Sequence, residues 1–160
     1  MTINDYRSIL LIKPNSAAVI KLVHSLPYGL TKEKCANELL SDLLFVYAWT
    51  LGCNGIAVLI DGDLGGNYES LMASLKRIGA NRSFEYASKA KETCGGFIPE
   101  DEIVRANLTE SLDHELYQLD KQYLKETSDE ASDVFIRLLA ADIPSTYQKL
   151  SEPHKPTKAR

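Results

Sequence analysis

Carboxylates are the side chains of this sequence whose number and placement could do chemistry. Residues 100–133 hold eleven acids and three bases, a net charge of −8, whereas residues 1–99 carry a net +1 and residues 134–160 a net +3. Such a concentration attracts cations: a metal ion if the acids converge on a point, or a partner's lysines and arginines if they spread over a rigid surface. The spacing favours the second. Leu112, Leu116, Leu119 and Tyr123 follow the i, i+4, i+7, i+11 pattern of a polar helix with one narrow apolar stripe. Asp113 and Asp120 fall seven residues apart on one flank of it, about 10 Å along the axis. Glu110 precedes that helix, and Glu126, Asp129, Glu130 and Asp133 continue at i+3 and i+4 steps into the next one. Those seven acids form the candidate partner-binding face. The competing explanation is a solvated helical face whose first-turn acids complement helix dipoles.

Other constellations are weaker. Asp61-Gly62-Asp63-Leu64-Gly65-Gly66 imitates a calcium loop, with acids at the first and third places and Gly at the sixth, but its twelfth place is Met72, where a bidentate carboxylate belongs. A glycine-rich turn between helices accounts for it better. His24, His114 and His154 are far apart. Cys35, Cys53 and Cys94 are odd in number and form no C-x-x-C pair, so they read as small buried side chains in a reducing compartment. No G-x-S-x-G, H-E-x-x-H, phosphate-loop or dinucleotide fingerprint occurs. Neither catalysis, nor a metal site, nor a cofactor is therefore expected. Direct nucleic-acid binding is disfavoured too, because the bases are scattered and the basic C-terminal segment lacks interleaved aromatics.

The elements that position these acids follow from periodicity and punctuation. The chain has 160 residues, 44% apolar and 25% charged, one domain's worth of globular composition. Its longest uninterrupted apolar run, Leu43 to Trp49, is far short of the roughly 20 residues of a spanning helix, and the N-terminus lacks the pattern of a secretory leader, so a cytoplasmic protein is expected. Residues 3–13 and 16–26 read as short helices divided by Pro14, although Ile9 to Ile12 could equally be a strand. Thr31 is placed to cap a long helix reaching Leu51, apolar nearly all round from Leu43 and hence central, with Phe45, Tyr47 and Trp49 as core. After the short apolar segment Ile56 to Ile60, Asn67 should cap a helix ending at Gly79, and Asn81 one ending at Gly95-Gly96. Pro99 should open the next at its first position, ahead of Glu100, Asp101 and Glu102. A last helix, started by Ser128 or Asp129, should stop before Pro144, leaving 151–160 as a loose basic tail. The expected fold is all-α: a single-domain bundle of about seven helices over residues 1–150 around the long central one.

An ordered series of residues adds a resemblance. Cys53-Asn54-Gly55-Ile56, Ser70-Leu71, Ile78-Gly79-Ala80, Gly95-Gly96-Phe97-Ile98-Pro99, Arg105 with Leu108, then Leu116, Leu119-Asp120 and Tyr123 resemble the helical domain of the bacterial DNA-mimic protein family first named from a neisserial protein. The likeness spans about 90 residues and, with the long helix, a core of about 31–147. Where the family has an Asn-Gly-Gly-Phe type turn followed by Gln and aromatics, this chain has Asn54-Gly55-Ile56 followed by aliphatics. The resemblance implies a non-enzymatic protein whose acidic helical face occupies the DNA groove of a protein partner such as a transcription factor. The alternative is an interaction or immunity-type protein that recognises a partner by shape. Either is compatible with a homodimer, and neither involves a membrane.

Overall fold

The computed structural model describes residues 21, 38–51, 56–62, 65–127, 130–141 and 145. Among these lie seven α-helices and no strand: α1 (Glu38–Leu51), α2 (Ile56–Asp61), α3 (Tyr68–Ile78), α4 (Asn81–Thr93), α5 (Glu102–Ser111), α6 (Asp113–Thr127) and α7 (Glu130–Ala141), with a 3₁₀ turn (Gly65–Asn67) leading into α3. The all-α bundle expected from the periodicity is what forms. The helices expected over 3–13 and 16–26 lie outside the described residues except for Lys21, itself helical. So do Thr31, Cys35, Cys53, Asp63, Leu64, Ser128, Asp129 and the basic tail.

Helix α1 is central, as its all-round apolarity demands. Leu43 to Val46 are buried at four consecutive positions, which a helix achieves only when neighbours cover more than one face. It packs chiefly on α3 and α7, while α4 and α6 pair beside it. Trp49 carries the junction: its indole Nε1 donates to the Tyr123 hydroxyl at 2.7 Å, and the two rings meet edge to face at 5.2 Å. Tyr86 of α4 approaches Tyr123 in the same manner at 5.3 Å. Phe45 is also core, whereas Tyr47 is half-buried. Asp42, buried on α1, accepts from Arg77 Nε at 3.0 Å and from Ser74 Oγ at 2.7 Å, which fixes α1 against α3 with a charge-assisted bond.

The glycine stops act as expected. Gly79 (φ +82°) and Gly95 (φ +85°) are left-handed; Ala80 and Gly96 return their N–H groups to Leu75 and Lys91, closing α3 and α4. The expected starts differ. Asn67 occupies the N-cap position of α3, within the 3₁₀ turn, but its side chain makes no capping bond. Asn81 is the first residue of α4 rather than its cap. Pro99 does not open α5: the chain stays irregular to Asp101, whose carboxylate caps the helix by accepting from Val104 N at 3.0 Å.

Candidate interaction surface

Six of the seven expected face acids are among the described residues, and they divide between two fates. Glu130, at the start of α7, turns inward: it accepts from the backbone N–H groups of Arg82 and Ser83 at 3.0 and 2.5 Å and from Ser83 Oγ at 2.8 Å. These orphan donors at the start of α4 are thus capped by an acid 48 and 47 residues away in the chain, where Asn81 is the cap expected from the sequence. Glu126 accepts from Arg82 Nη2 at 2.7 Å and from the Tyr86 hydroxyl at 2.9 Å, an arrangement that, behind burial, pushes the Tyr86 phenol above its ordinary range. Asp133 is half-buried and lies 3.8 Å from Arg137 Nη2.

Asp120 requires the clearest correction. It is 8% exposed, not on an open flank, and its Oδ1 accepts the Ile56 N–H at 2.6 Å, capping the short helix α2. Burial raises its carboxyl above the usual range, and the Ile56 bond partly opposes that rise. Asp120 follows Leu116 by four residues and precedes Tyr123 by three, positions under the apolar stripe rather than beside it. That signal was present in the sequence. Asp129 lies outside the described residues.

Glu110 and Asp113 are exposed as expected, and they have company. Glu100, Asp101, Glu102 and Glu115 are also exposed, and none of these six acids takes part in an ion pair among the described residues. The only Lys or Arg between residues 92 and 120 is Arg105, and it is buried. Its guanidinium donates to four main-chain carbonyls: Ile60 at 2.8 Å, Glu100 at 2.5 Å, Pro99 at 3.2 Å and Gly62 at 3.4 Å. Gly65 makes this approach workable, because a Cβ there would sit 1.7 Å from the Ile60 carbonyl oxygen and 2.9 Å from Arg105 Nε. The turn that imitates a calcium loop thus packs against a cation the chain already carries, and its Gly62 carbonyl accepts from Arg105. No group of three His, Cys, Asp or Glu side chains is placed to hold a metal ion among the described residues.

Between α2 and the α5–α6 corner lies a shallow groove of about 220 Å³, walled by Ala57, Val58 and Ala106 and rimmed by Asp61, Glu110 and Asp113. Aliphatic walls under a carboxylate rim suit a long cationic side chain, whose stem needs apolar contact and whose head needs an acid. Elsewhere the reactive groups are quiet. The Cys94 thiol is buried and pushed up by that burial, so it is a poor nucleophile. The Tyr68 phenol is raised for the same chief reason and donates to the Ala87 carbonyl at 3.0 Å. His114 is exposed on α6; His24 and His154 lie outside the described residues.

What these features define is an all-α protein in which every charged side chain exposed from residue 92 to residue 119 is an acid. Compared with family models, with curated proteins and with solved structures, the chain matches none. Among the described residues no helix is long and apolar enough to cross a membrane.

Proposed function

We propose that this protein acts through protein contacts, presenting the acidic surface of α5 and the start of α6 to a basic, DNA-binding partner. The observation that carries this reading is the withdrawal of Arg105: with it buried, every Lys, Arg, Asp or Glu exposed from residue 92 to residue 119 is an acid. A one-signed surface of this kind speeds encounter with a cationic groove and competes with the polyanion that groove was built for. The resemblance of the chain to DNA-mimic proteins supports the same partner class. Relative to the seven acids expected from the sequence, the face keeps Glu110 and Asp113, gains Glu100, Asp101, Glu102 and Glu115, and loses Asp120 and Glu130 to helix caps and Glu126 and Asp133 to ion pairs, Asp129 lying outside the described residues.

Capture of the partner from native cytosol, followed by competition with duplex DNA, tests the proposal. The captured protein should be displaced by DNA, and its affinity should fall steeply as salt rises, since both ligands would contend for one cationic surface. A partner that binds this protein and DNA together, with little response to salt, would leave recognition by shape as the better account.

A further inference from the structure

Helix α5 turns its first-turn aliphatic residues outward. Its fully buried residues are polar, Arg105 and Thr109, and Leu108 is partly buried against the core, while Ile103 and Val104 stand 73% and 51% exposed. An amphipathic helix ordinarily hides its apolar residues, and here the rotation is fixed by other means: the four carbonyl bonds of Arg105 and the Asp101 cap hold α5 with its aliphatic first turn outward. Two β-branched residues so placed add nothing to the core and are mediocre helix formers. Ile103 shares a flank of α5 with Ala106 and Glu110, at i, i+3 and i+7, so that flank runs into the groove whose opposite wall includes Val58, itself 65% exposed. An apolar centre within a polar, charged rim is the anatomy of a protein interface rather than of a purely electrostatic decoy.

We infer that this flank of α5 and the adjoining α2 groove dock a basic protein segment by one of its apolar side chains, seated on Ile103, Val58 and Ala106, while lysines or arginines beside it meet Glu102, Glu110 and Asp113. The inference rests on the proposed acidic face and specifies its partner. Charge complementarity selects the occupant: every charged side chain exposed from residue 92 to residue 119 is an acid, so the rim disfavours nucleic acid and anionic lipid, and a bare polycation would leave the aliphatic centre uncovered.

The test uses the full chain and two synthetic helical peptides of equal positive charge, with apolar positions spaced at i, i+3 and i+4 among lysines and filled by Leu in one and by Ala in the other, titrated at low salt. The native protein should bind the Leu peptide at least about tenfold more tightly, the scale expected from burying one large aliphatic side chain. Ile103→Ser combined with Val58→Ser should erase that advantage while leaving binding of the Ala peptide unchanged. Ile103→Ser alone, at the more exposed of the two sites, should halve it or better and serves where the double variant melts early. Glu110→Gln with Asp113→Asn should weaken both peptides alike. Equal binding of the two peptides by native protein, or a Leu advantage that survives Ile103→Ser and the double variant, overturns the docking inference. The acidic face itself fails only if the Glu110 and Asp113 substitutions weaken neither peptide. Self-association that Ile103→Ser abolishes would show that a second copy of the chain covers this flank, and would also overturn the inference.

Discussion

The acids of residues 100–115 and those of residues 120–133 look alike in composition and differ in what they do. In the second group Asp120 caps α2, Glu130 caps α4, and Glu126 joins Arg82 to Tyr86, so two of these charges serve as helix caps and a third is paired at the surface between α4 and α6. In the first group one base was available to neutralise six exposed acids, and it is spent on main-chain carbonyls. A charge sum over a sequence window therefore overstates the functional surface in one place and understates it in another. What decides is whether an orphan helix terminus or a buried donor lies within reach of each carboxylate.

The largest effect should come from Arg105, the residue on which the contrast depends. Arg105→Met keeps the length of the stem but strips the Ile60, Gly62, Pro99 and Glu100 carbonyls of their donor. Each buried unsatisfied acceptor costs about 1–3 kcal/mol, so a loss of about 3 kcal/mol or more is expected, seen as a melting temperature lower by about 10 °C. A melt within a degree or two of the native protein would mean that the carbonyls find water as readily as the guanidinium.

Glu130 comes next. Glu130→Ala removes three hydrogen bonds from the start of α4 and should cost about 2 kcal/mol in urea unfolding, whereas Glu130→Gln, which keeps one acceptor oxygen, should recover about half of that. An unchanged midpoint for Glu130→Ala would return this acid to the partner-binding face from which its inward bonds exclude it.

Legibility followed the range of the interactions. Local devices were readable: the left-handed glycines after α3 and α4, the narrow stripe of α6 and the all-round apolarity of α1 each depend on residues a few positions apart. Caps donated across the fold were not. Nothing near Asn81 announces that Glu130 will satisfy the start of α4, and nothing near Arg105 announces that the carbonyls of residues 60 and 62 will receive it. Asp120 lies between these cases, because its spacing from Leu116 and Tyr123 already put it beneath the stripe. The exposed aliphatic pair on α5 was invisible, since hydrophobic identity alone predicts burial and only the rotation imposed by Arg105 reverses it.

A smaller effect distinguishes cap from charge at Asp120. Asp120→Ala should cost about 1–2 kcal/mol through loss of the Ile56 bond, while Asp120→Asn keeps an acceptor and sheds a buried charge. Because burial raises the carboxyl of the folded protein above its ordinary value near 4, the native state holds this proton more tightly than the unfolded chain does. The stability that Asp120 contributes is thus greatest below that ordinary value, falls as pH rises towards the raised one, and is level beyond it. Urea unfolding from pH 4 to pH 7 should show native stability declining relative to Asp120→Asn across that range. A relative gain with rising pH would mean that the Ile56 bond to the charged form outweighs burial.

The smallest effect on stability should attend the acids of the other group, and there the contrast is sharpest. Glu110 and Asp113 are exposed, engage no ion pair among the described residues and rim a groove open to solvent, so Glu110→Gln with Asp113→Asn should move the unfolding free energy by less than about 0.5 kcal/mol. Their removal should instead be felt in association. Two charges fewer on a one-signed surface should slow encounter with a basic partner and flatten its dependence on salt, while dissociation, governed by close contacts such as those proposed at Ile103, changes little. Stopped-flow association at two ionic strengths, set beside a urea melt of the same variant, reads both quantities. A double variant that loses stability as Glu130→Ala does, with no change in association, would place Glu110 and Asp113 among the structural acids and dissolve the distinction between the two halves of the acidic segment.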